Sequence, residues 1–131
     1  MTPVLIDHNL ELEAERLAGV VDHTGMASLA PMSFVVFRDV GLAENATDRT
    51  VWRFAQTRRM VLLTANRNMP GADSLELTLR EELNSRSLPV VTVASQHRLS
   101  DPRYREACAY RLIEIVQELS QYSGIGRVFI P

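Results

Sequence analysis

The chain has 131 residues, of which 46% are apolar and 23% charged, and its formal charge is −2. This length and composition predict one globular domain over residues 1–131, and the near-neutral charge gives no general attraction to nucleic acid or membrane. All 14 basic side chains are arginine, which excludes lysine Schiff-base chemistry and a lysine-dependent phosphate loop.

The first half of the chain alternates short apolar runs with helical patterns. Residues 4–6 form an apolar strand that ends at Asp7, and a helical pattern follows from Asn9. A second strand is predicted over residues 34–37 and a third over residues 60–63. Thr47 is a suitable cap for the helix between them, because threonine oxygens accept a backbone N–H at helix starts.

The second half of the chain continues the same alternation. Asp73 and Glu76 have the spacing of a capping box and predict a helix through about residue 84. Strands are predicted over residues 88–94 and 127–130, and Asp101-Pro102 marks the start of the helix between them. Buried strands separated by amphipathic helices predict an α/β fold of three layers, α/β/α, around a parallel sheet of four or five strands.

Polar residues follow several of the predicted strands. The carboxyl ends of parallel strands meet at one edge of the sheet, and ligands bind there in open α/β sheets. The side chains predicted at or near this edge are Asp7, His8, Asn9, Arg38, Asp39, Asp48, the run from Thr64 to Asn68, and the run from Ser95 to Arg98. We therefore expect Asp7, Asp39 and Asn66 to gather at the same edge.

The two aspartates Asp7 and Asp48 are the main candidates for chemistry. An aspartate that closes an apolar strand is a common Mg²⁺ ligand, although it also bonds backbone N–H groups of a turn. Asp48 opens a helix, where the helix dipole favours an acid without any further role.

The run "TANRNM", residues 64–69, places Asn66 and Asn68 around Arg67. Asparagine is frequent in turns for conformational reasons alone. As a ligand it offers a carbonyl oxygen without charge, so it supports Mg²⁺ less well than a carboxylate does. Arg67 is either a phosphate-binding residue or a solvated loop residue.

The amino-terminal sequence contains no signal-peptide pattern, and the chain has no run of 18 apolar residues. These features predict a cytoplasmic protein that does not contact a membrane. Cys108 is the only cysteine, so an intrachain disulfide and a multi-cysteine metal site are both excluded.

Four segments in order, "VLIDHN", "FRDVGL", "TDRTVWRFA" and "VLLTANRNM", resemble the short PIN-like family of bacterial toxin-type ribonucleases. The family pattern is D-x-N after the first strand, then R-D-x-G-L, a helix-opening aspartate, and T-x-D-x-D-F. The resemblance covers residues 4–69, about half of the chain. It implies a PIN-like fold for this chain.

The resemblance also implies roles for individual residues. Asp7 and Asp48 would be catalytic and would bind Mg²⁺ or Mn²⁺, together with the residues at two further metal positions, Asn66 and Asn68. Those two asparagines stand where the family pattern has aspartates, so the acidic site is partly neutralised. The implied substrate-binding residues are Asn9, Arg38, Asp39, Thr64 and Arg67.

The implied function is that of a metal-dependent ribonuclease, as the toxin of a toxin–antitoxin pair, with RNA as substrate and an antitoxin or another protein as partner. A homodimer is also compatible with the resemblance, and Asp73 is a candidate replacement for a lost ligand. The alternative function is a catalytically degenerate PIN-like domain that binds nucleic acid or protein, without a cofactor. A phosphoacceptor domain similar to a receiver is disfavoured, because the chain has no lysine and no acidic pair after the first strand.

Overall fold

The computed structural model describes residues 1–65 and 71–131. Five strands form one sheet, and every neighbouring pair in it is parallel. The strands are β1 (Thr2–Ile6), β2 (Met32–Val35), β3 (Val61–Thr64), β4 (Val90–Val93) and β5 (Arg127–Ile130). Their spatial order is β2-β1-β3-β4-β5, so β2 and β5 are the outermost strands of the sheet.

The helices lie on both faces of the sheet, because alternate strand residues point to opposite faces and both sets are apolar. The helices are α1 (Glu11–His23), α2 (Phe37–Val40), α3 (Asp48–Thr57), α4 (Leu75–Glu82) and α5 (Pro102–Gln117). On one face, Val4 and Leu63 pack in a core with α1 and α5. On the other face, Leu5 and Leu62 pack with α2, α3 and α4. The predicted three-layer α/β/α architecture with a parallel sheet is confirmed.

Two helix starts agree with the sequence prediction. The Thr47 hydroxyl accepts a hydrogen bond from the Thr50 N–H at 3.2 Å and caps α3. Asp101 caps α5 in the same way, through the Arg103 N–H at 2.9 Å, and Pro102 occupies the first helical position. In both cases a side-chain oxygen satisfies a backbone donor that has no partner within the helix.

Two local predictions were wrong. The second strand ends at Val35, and Phe37 begins α2 instead of extending the strand. Phe37 is buried in the core beside α3, so a continuous apolar run concealed a change of secondary structure. The helix α4 is capped by Ser74, whose hydroxyl accepts the Leu77 N–H at 3.2 Å. Asp73 lies one residue earlier and does not form the predicted capping box.

Within residues 1–65 and 71–131, no helix combines the length and the apolar character that crossing a bilayer requires.

Candidate functional site

The sheet order places β1 beside β3, so the chain leaves these neighbours in opposite directions to reach β2 and β4. In open parallel sheets, such a reversal creates a crevice outside the carboxyl ends of the two strands. Asp7 follows β1 directly, and Thr64 is the last residue of β3. The backbone joins the two here, because the Asp7 N–H donates to the Leu63 carbonyl at 2.9 Å.

Asp7 is held in this crevice by its neighbour on β3. The Thr64 hydroxyl donates a hydrogen bond of 2.6 Å to Asp7 Oδ2. Burial raises the pKa of the Asp7 carboxyl above its usual value, and the nearby charge of Asp48 raises the pKa further. The bond from Thr64 and the backbone N–H groups of Asn9 and His8 act in the opposite direction. Asp7 is therefore a carboxylate whose negative charge is costly to keep.

Asp48 reaches the same region from the first turn of α3. Its Oδ2 accepts a hydrogen bond from the Leu75 N–H at 3.1 Å, which ties the start of α3 to the start of α4. An acid in the first helical turn is also stabilised by the helix dipole. Asp48 thus has a structural contact as well as a position from which its charge acts on Asp7.

A cavity of about 600 Å³ lies over this edge of the sheet. Its walls come from the segment after β1, the start of α3 and the segment before α4. Four acidic residues line it: Asp7, Glu44, Asp48 and Asp73. None of its described lining residues is an arginine. The cavity is therefore strongly acidic and is suited to a cation more than to an anion.

The wall of the cavity that precedes α1 is fixed by polar contacts. His8 Nδ1 lies 3.3 Å from Glu11 Oε1, and its Nε2 lies 3.8 Å from Glu44 Oε2. The Gln96 side-chain amide donates to the Asn9 carbonyl at 2.8 Å. These contacts hold the segment after β1 against α1 and the segment after β4.

The wall formed by Asp73 is fixed by Arg49, whose side chain is 14% exposed. Arg49 Nε donates to Asp73 Oδ1 at 3.1 Å, and its Nη2 donates to the Ala72 carbonyl at 2.8 Å. The same guanidinium contacts Glu81 at 2.5 Å and forms a further ion pair with Glu82. Asp73 lines the cavity as an arginine-paired carboxylate, so its charge is already partly compensated.

The structure brings together some of the predicted site residues and separates others. Asp7, Asn9, Asp48 and Thr64 all line the cavity. Arg38 and Asp39 follow β2 at the same edge but are exposed and are not among the described residues that line it. Asp39 Oδ2 accepts the Val36 N–H at 3.2 Å, so this aspartate caps α2. The predicted positions Asn66, Arg67 and Asn68 lie outside the described residues.

Glu44 is the cavity residue that sequence reasoning missed. It lies in the segment between α2 and α3, where neither periodicity nor a strand end marks it. Gln96 belonged to the predicted edge, but its contact with Asn9 spans 87 residues of sequence and leaves no local signal.

The donor set offers a divalent cation a sparse site. Among residues 1–65 and 71–131, no group of three or more His, Cys, Asp or Glu side chains is arranged to hold a metal ion. Mg²⁺ commonly keeps several waters and takes only one or two protein carboxylates, with substrate phosphates completing its shell. Asp7 and Asp48 are the two carboxylates that such an open mode of binding would need, and the described residues do not form a closed protein cage. No family model, curated protein or solved structure matches this chain.

Proposed function

We propose that this protein is a PIN-like, Mg²⁺- or Mn²⁺-dependent ribonuclease, acting as the toxin of a toxin–antitoxin pair. The observation that carries the proposal is the pair of carboxylates, Asp7 and Asp48, that line one acidic cavity at the carboxyl edge of the sheet. They come from different elements, and the charge of Asp48 raises the pKa of Asp7. A carboxyl group whose pKa is perturbed by burial and by a second carboxylate in a cleft is a candidate for a functional site.

The acidic lining explains why a cation is needed for this function. A phosphodiester is an anion, and Asp7, Glu44 and Asp48 would repel it. A divalent ion held by Asp7 and Asp48 would neutralise the charge of these two carboxylates, activate a water molecule and stabilise the charge that develops on the phosphate. A cation held there would favour the ionised form of Asp7, whose pKa is raised by burial.

The chain's own residues would orient the two ligands. The Thr64 hydroxyl occupies one position on Asp7 Oδ2 and fixes the direction of this carboxylate. The Leu75 N–H does the same for Asp48 Oδ2. Asn9 is exposed at the rim of the cavity and is placed to contact the RNA. As the family resemblance implies, Arg67 would bind phosphate, and Asn66 and Asn68 would offer the metal uncharged oxygens.

A second candidate function is a degenerate PIN-like domain that binds nucleic acid or a protein without cleavage. It is favoured by the hydrogen bonds that Asp7 and Asp48 already accept from the protein. It is also favoured by the scarcity of carboxylate groups suited to a metal within the described residues. A loop with Asn66 and Asn68 in place of aspartates weakens the attraction for a dication further.

Metal binding and RNA cleavage together distinguish the two functions. We expect calorimetry to detect Mn²⁺ binding to the parent protein, and Mn²⁺ to support cleavage of a short RNA that chelation stops. Asp7→Asn and Asp48→Asn should each reduce cleavage more than about 100-fold, because each removes a direct ligand charge. Asparagine keeps an acceptor for Thr64 or Leu75, so the fold should be preserved.

Asp22→Asn is the matched control, since Asp22 is an exposed aspartate of α1 outside the cavity. It should cleave RNA as the parent does. Equal cleavage by the Asp7 variant and the parent would assign the activity to a contaminant. RNA binding without Mn²⁺ binding or cleavage would support the degenerate domain instead.

A further inference from the structure

A second cleft lies at the opposite edge of the sheet, where β3 and β4 begin. It has a volume of about 540 Å³ and lies between the end of α3, the residues before β3 and the turn before β4. The residues that matter for its chemistry are Trp52, Arg53, Arg59, Glu82, Arg86 and Ser87. We call it the arginine cleft, because Arg53, Arg59 and Arg86 all line it.

The carboxylate of Glu82, which also lines the cleft, is compensated by ion pairs. Arg53 Nε and Nη2 donate to its two oxygens at 2.8 Å each, and Arg49 contacts it as well. The hydrogen bonds from Arg53, and to a smaller extent those from Arg49, lower the pKa of Glu82. The carboxylate of Glu82 therefore neutralises the charge of Arg53. The remaining positive charge of the cleft comes from Arg59 and Arg86.

Arg59 occupies a backbone position that ordinarily belongs to glycine. Its φ is 54°, in the left-handed region. The Arg59 N–H donates to the Gln56 carbonyl at 3.2 Å and the Met60 N–H donates to the Ala55 carbonyl at 2.8 Å. This is the Schellman pattern at a helix end, where glycine avoids the steric cost of a side chain. An arginine here bears that cost, which points to a use for its side chain.

Helix capping alone does not account for Arg59. A cation near the end of α3 complements the helix dipole, but the preceding Arg58 already supplies one. The Arg58 guanidinium lies 5.0 Å from the centre of the Phe54 ring, and Arg58 is not among the described residues that line the cleft. Arg59 instead extends to the turn before β4, where its Nη1 donates to the Arg86 carbonyl at 3.0 Å.

The turn that carries Arg86 is held in one conformation. The Arg86 N–H donates to Asn84 Oδ1 at 2.9 Å, and the Asn84 N–H donates to the Ser87 hydroxyl at 3.1 Å. Trp52 also lines the cleft, and its buried indole N–H has no acceptor among the described residues. The guanidinium groups of Arg59 and Arg86 supply donors and positive charge beside a fixed backbone, which suits an anion.

We propose that the arginine cleft binds the phosphate group of a small ligand, with Arg59 and Arg86 as its charged contacts. The ligand is inorganic phosphate or a nucleoside monophosphate, since both present the same dianionic group. Arg59 and Arg86 favour phosphate because a guanidinium can donate two parallel hydrogen bonds to it. This site is independent of Asp7 and Asp48 and does not depend on the ribonuclease proposal.

The test is calorimetric titration at low ionic strength with sodium phosphate, with uridine 5′-monophosphate and with uridine. We expect saturable binding of both phosphates with a Kd of about 1 mM or lower, and none of uridine. Equal affinities would identify inorganic phosphate as the sufficient ligand. Binding of the nucleotide about tenfold more tightly would show that the nucleoside also contributes, and either result supports the site.

Two variants locate the binding. Arg59→Gly keeps the left-handed backbone accessible, and Arg86→Gln changes an exposed side chain. Each should weaken phosphate binding about tenfold, the loss expected for a charge-assisted contact. Arg103→Gln, at an exposed arginine of α5 away from the cleft, is the matched control and should bind as the parent does. Absence of saturable binding, or equal affinities in all three variants, would overturn the proposal.

Discussion

The two edges of the sheet have cavities of similar size and opposite chemistry. The acidic cavity, at the carboxyl ends of the strands, has a volume of about 600 Å³ and is lined by four acidic residues. The arginine cleft, at the amino ends of the strands, has a volume of about 540 Å³ and is lined by three arginines and one carboxylate. The net charge of −2 conceals both, because it sums them. Local charge in a fold can therefore favour a cation at one edge and an anion at the other, whatever the total.

Helix α3 and strand β3 connect the two edges. Asp48 begins α3 at the acidic cavity, and Arg59 follows its end at the arginine cleft. This arrangement also matches the helix dipole, which favours acids at the amino end and cations at the carboxyl end. The contrast between the edges is thus compatible with a role in stability, which variants at each edge separate from ligand binding.

The largest effect is expected from a change that weakens both edges together. Leu63 on β3 is fully buried between them, and Leu63→Ala should cost about 2–5 kcal/mol of unfolding free energy by leaving a cavity. Trp52, the single tryptophan, reports on the arginine cleft by fluorescence, and far-ultraviolet circular dichroism reports on the whole sheet. Both probes should give one coincident denaturant transition.

The control for this change is Leu12→Ala, because Leu12 is 80% exposed. It should alter the unfolding free energy by no more than about 0.5 kcal/mol. Separate transitions for the two probes would mean that the two edges of the sheet unfold independently, as two structural units.

The next effect concerns the arginine that contacts the walls of both cavities. Arg49→Met removes the partner of Asp73, Glu81 and Glu82 and should lower the melting temperature at low salt. Arg53→Met removes only one partner of Glu82. Because the Arg53 side chain is 61% exposed, this variant should lose less melting temperature than Arg49→Met. Thermal denaturation at low and high salt measures both. Equal losses of melting temperature in the two variants would contradict the larger contribution of Arg49 to stability.

A smaller effect should distinguish the acidic edge by its pH dependence. Burial raises the pKa of folded Asp7 above the ordinary value of 3.8. The stability contributed by its protonated form is fully present below pH 3.8 and is lost as the pH rises through the folded pKa. Asp7→Asn should therefore melt above the parent at pH 7, and this advantage should shrink toward pH 4.

Asp22→Asn is the control, since Asp22 is exposed on α1 and is not among the described residues that line the acidic cavity. Thermal melts of the three proteins between pH 3 and pH 7 provide the measurement. If Asp7→Asn melts below the parent at pH 7, the carboxylate stabilises the fold. The burial of Asp7 would then be no sign that stability is sacrificed for function.

The smallest effect should come from the arginine edge without ligand. Arg59→Gly relieves the left-handed strain of a residue with φ 54° and should gain about 0.5–1 kcal/mol of unfolding free energy. Arg58→Gly offers a comparison, because Arg58 has a negative φ and glycine gains nothing there. Chemical denaturation of both variants measures the difference. A loss of stability at position 59 would mean that its side chain is retained for folding.

The sequence predicted the sheet, both helix layers and the contribution of Asp7, Asp48 and Thr64 to one edge. These predictions succeeded because buried parallel strands are continuous apolar runs, and right-handed crossovers bring their carboxyl ends together. The end of β2 was mistaken because the run through Phe37 stays apolar while the backbone becomes helical. Periodicity cannot detect that change within four residues.

Other features of the two cavities depend on contacts between distant segments. Ser74 caps α4 in place of Asp73, and the sequence does not show that Arg49, 24 residues away, engages Asp73. The arginine cleft has no sequence motif, because Arg53, Arg59 and Arg86 come from three separate segments. The usual signal for a Schellman turn is glycine, and the arginine at position 59 removes that signal.

Strand β3 offers a spectroscopic consequence of this arrangement. Its four residues span about 13 Å, with Thr64 at the acidic cavity and Arg59 just before the other end. All four are nearly inaccessible to solvent, so their amide protons should exchange slowly and give stable resonances. In a ¹⁵N-correlated spectrum, a cation in the acidic cavity should shift the amide resonance of Thr64 most among the four. Phosphate in the arginine cleft should instead shift the amide resonance of Val61 most. One short strand thereby identifies which edge a ligand has occupied.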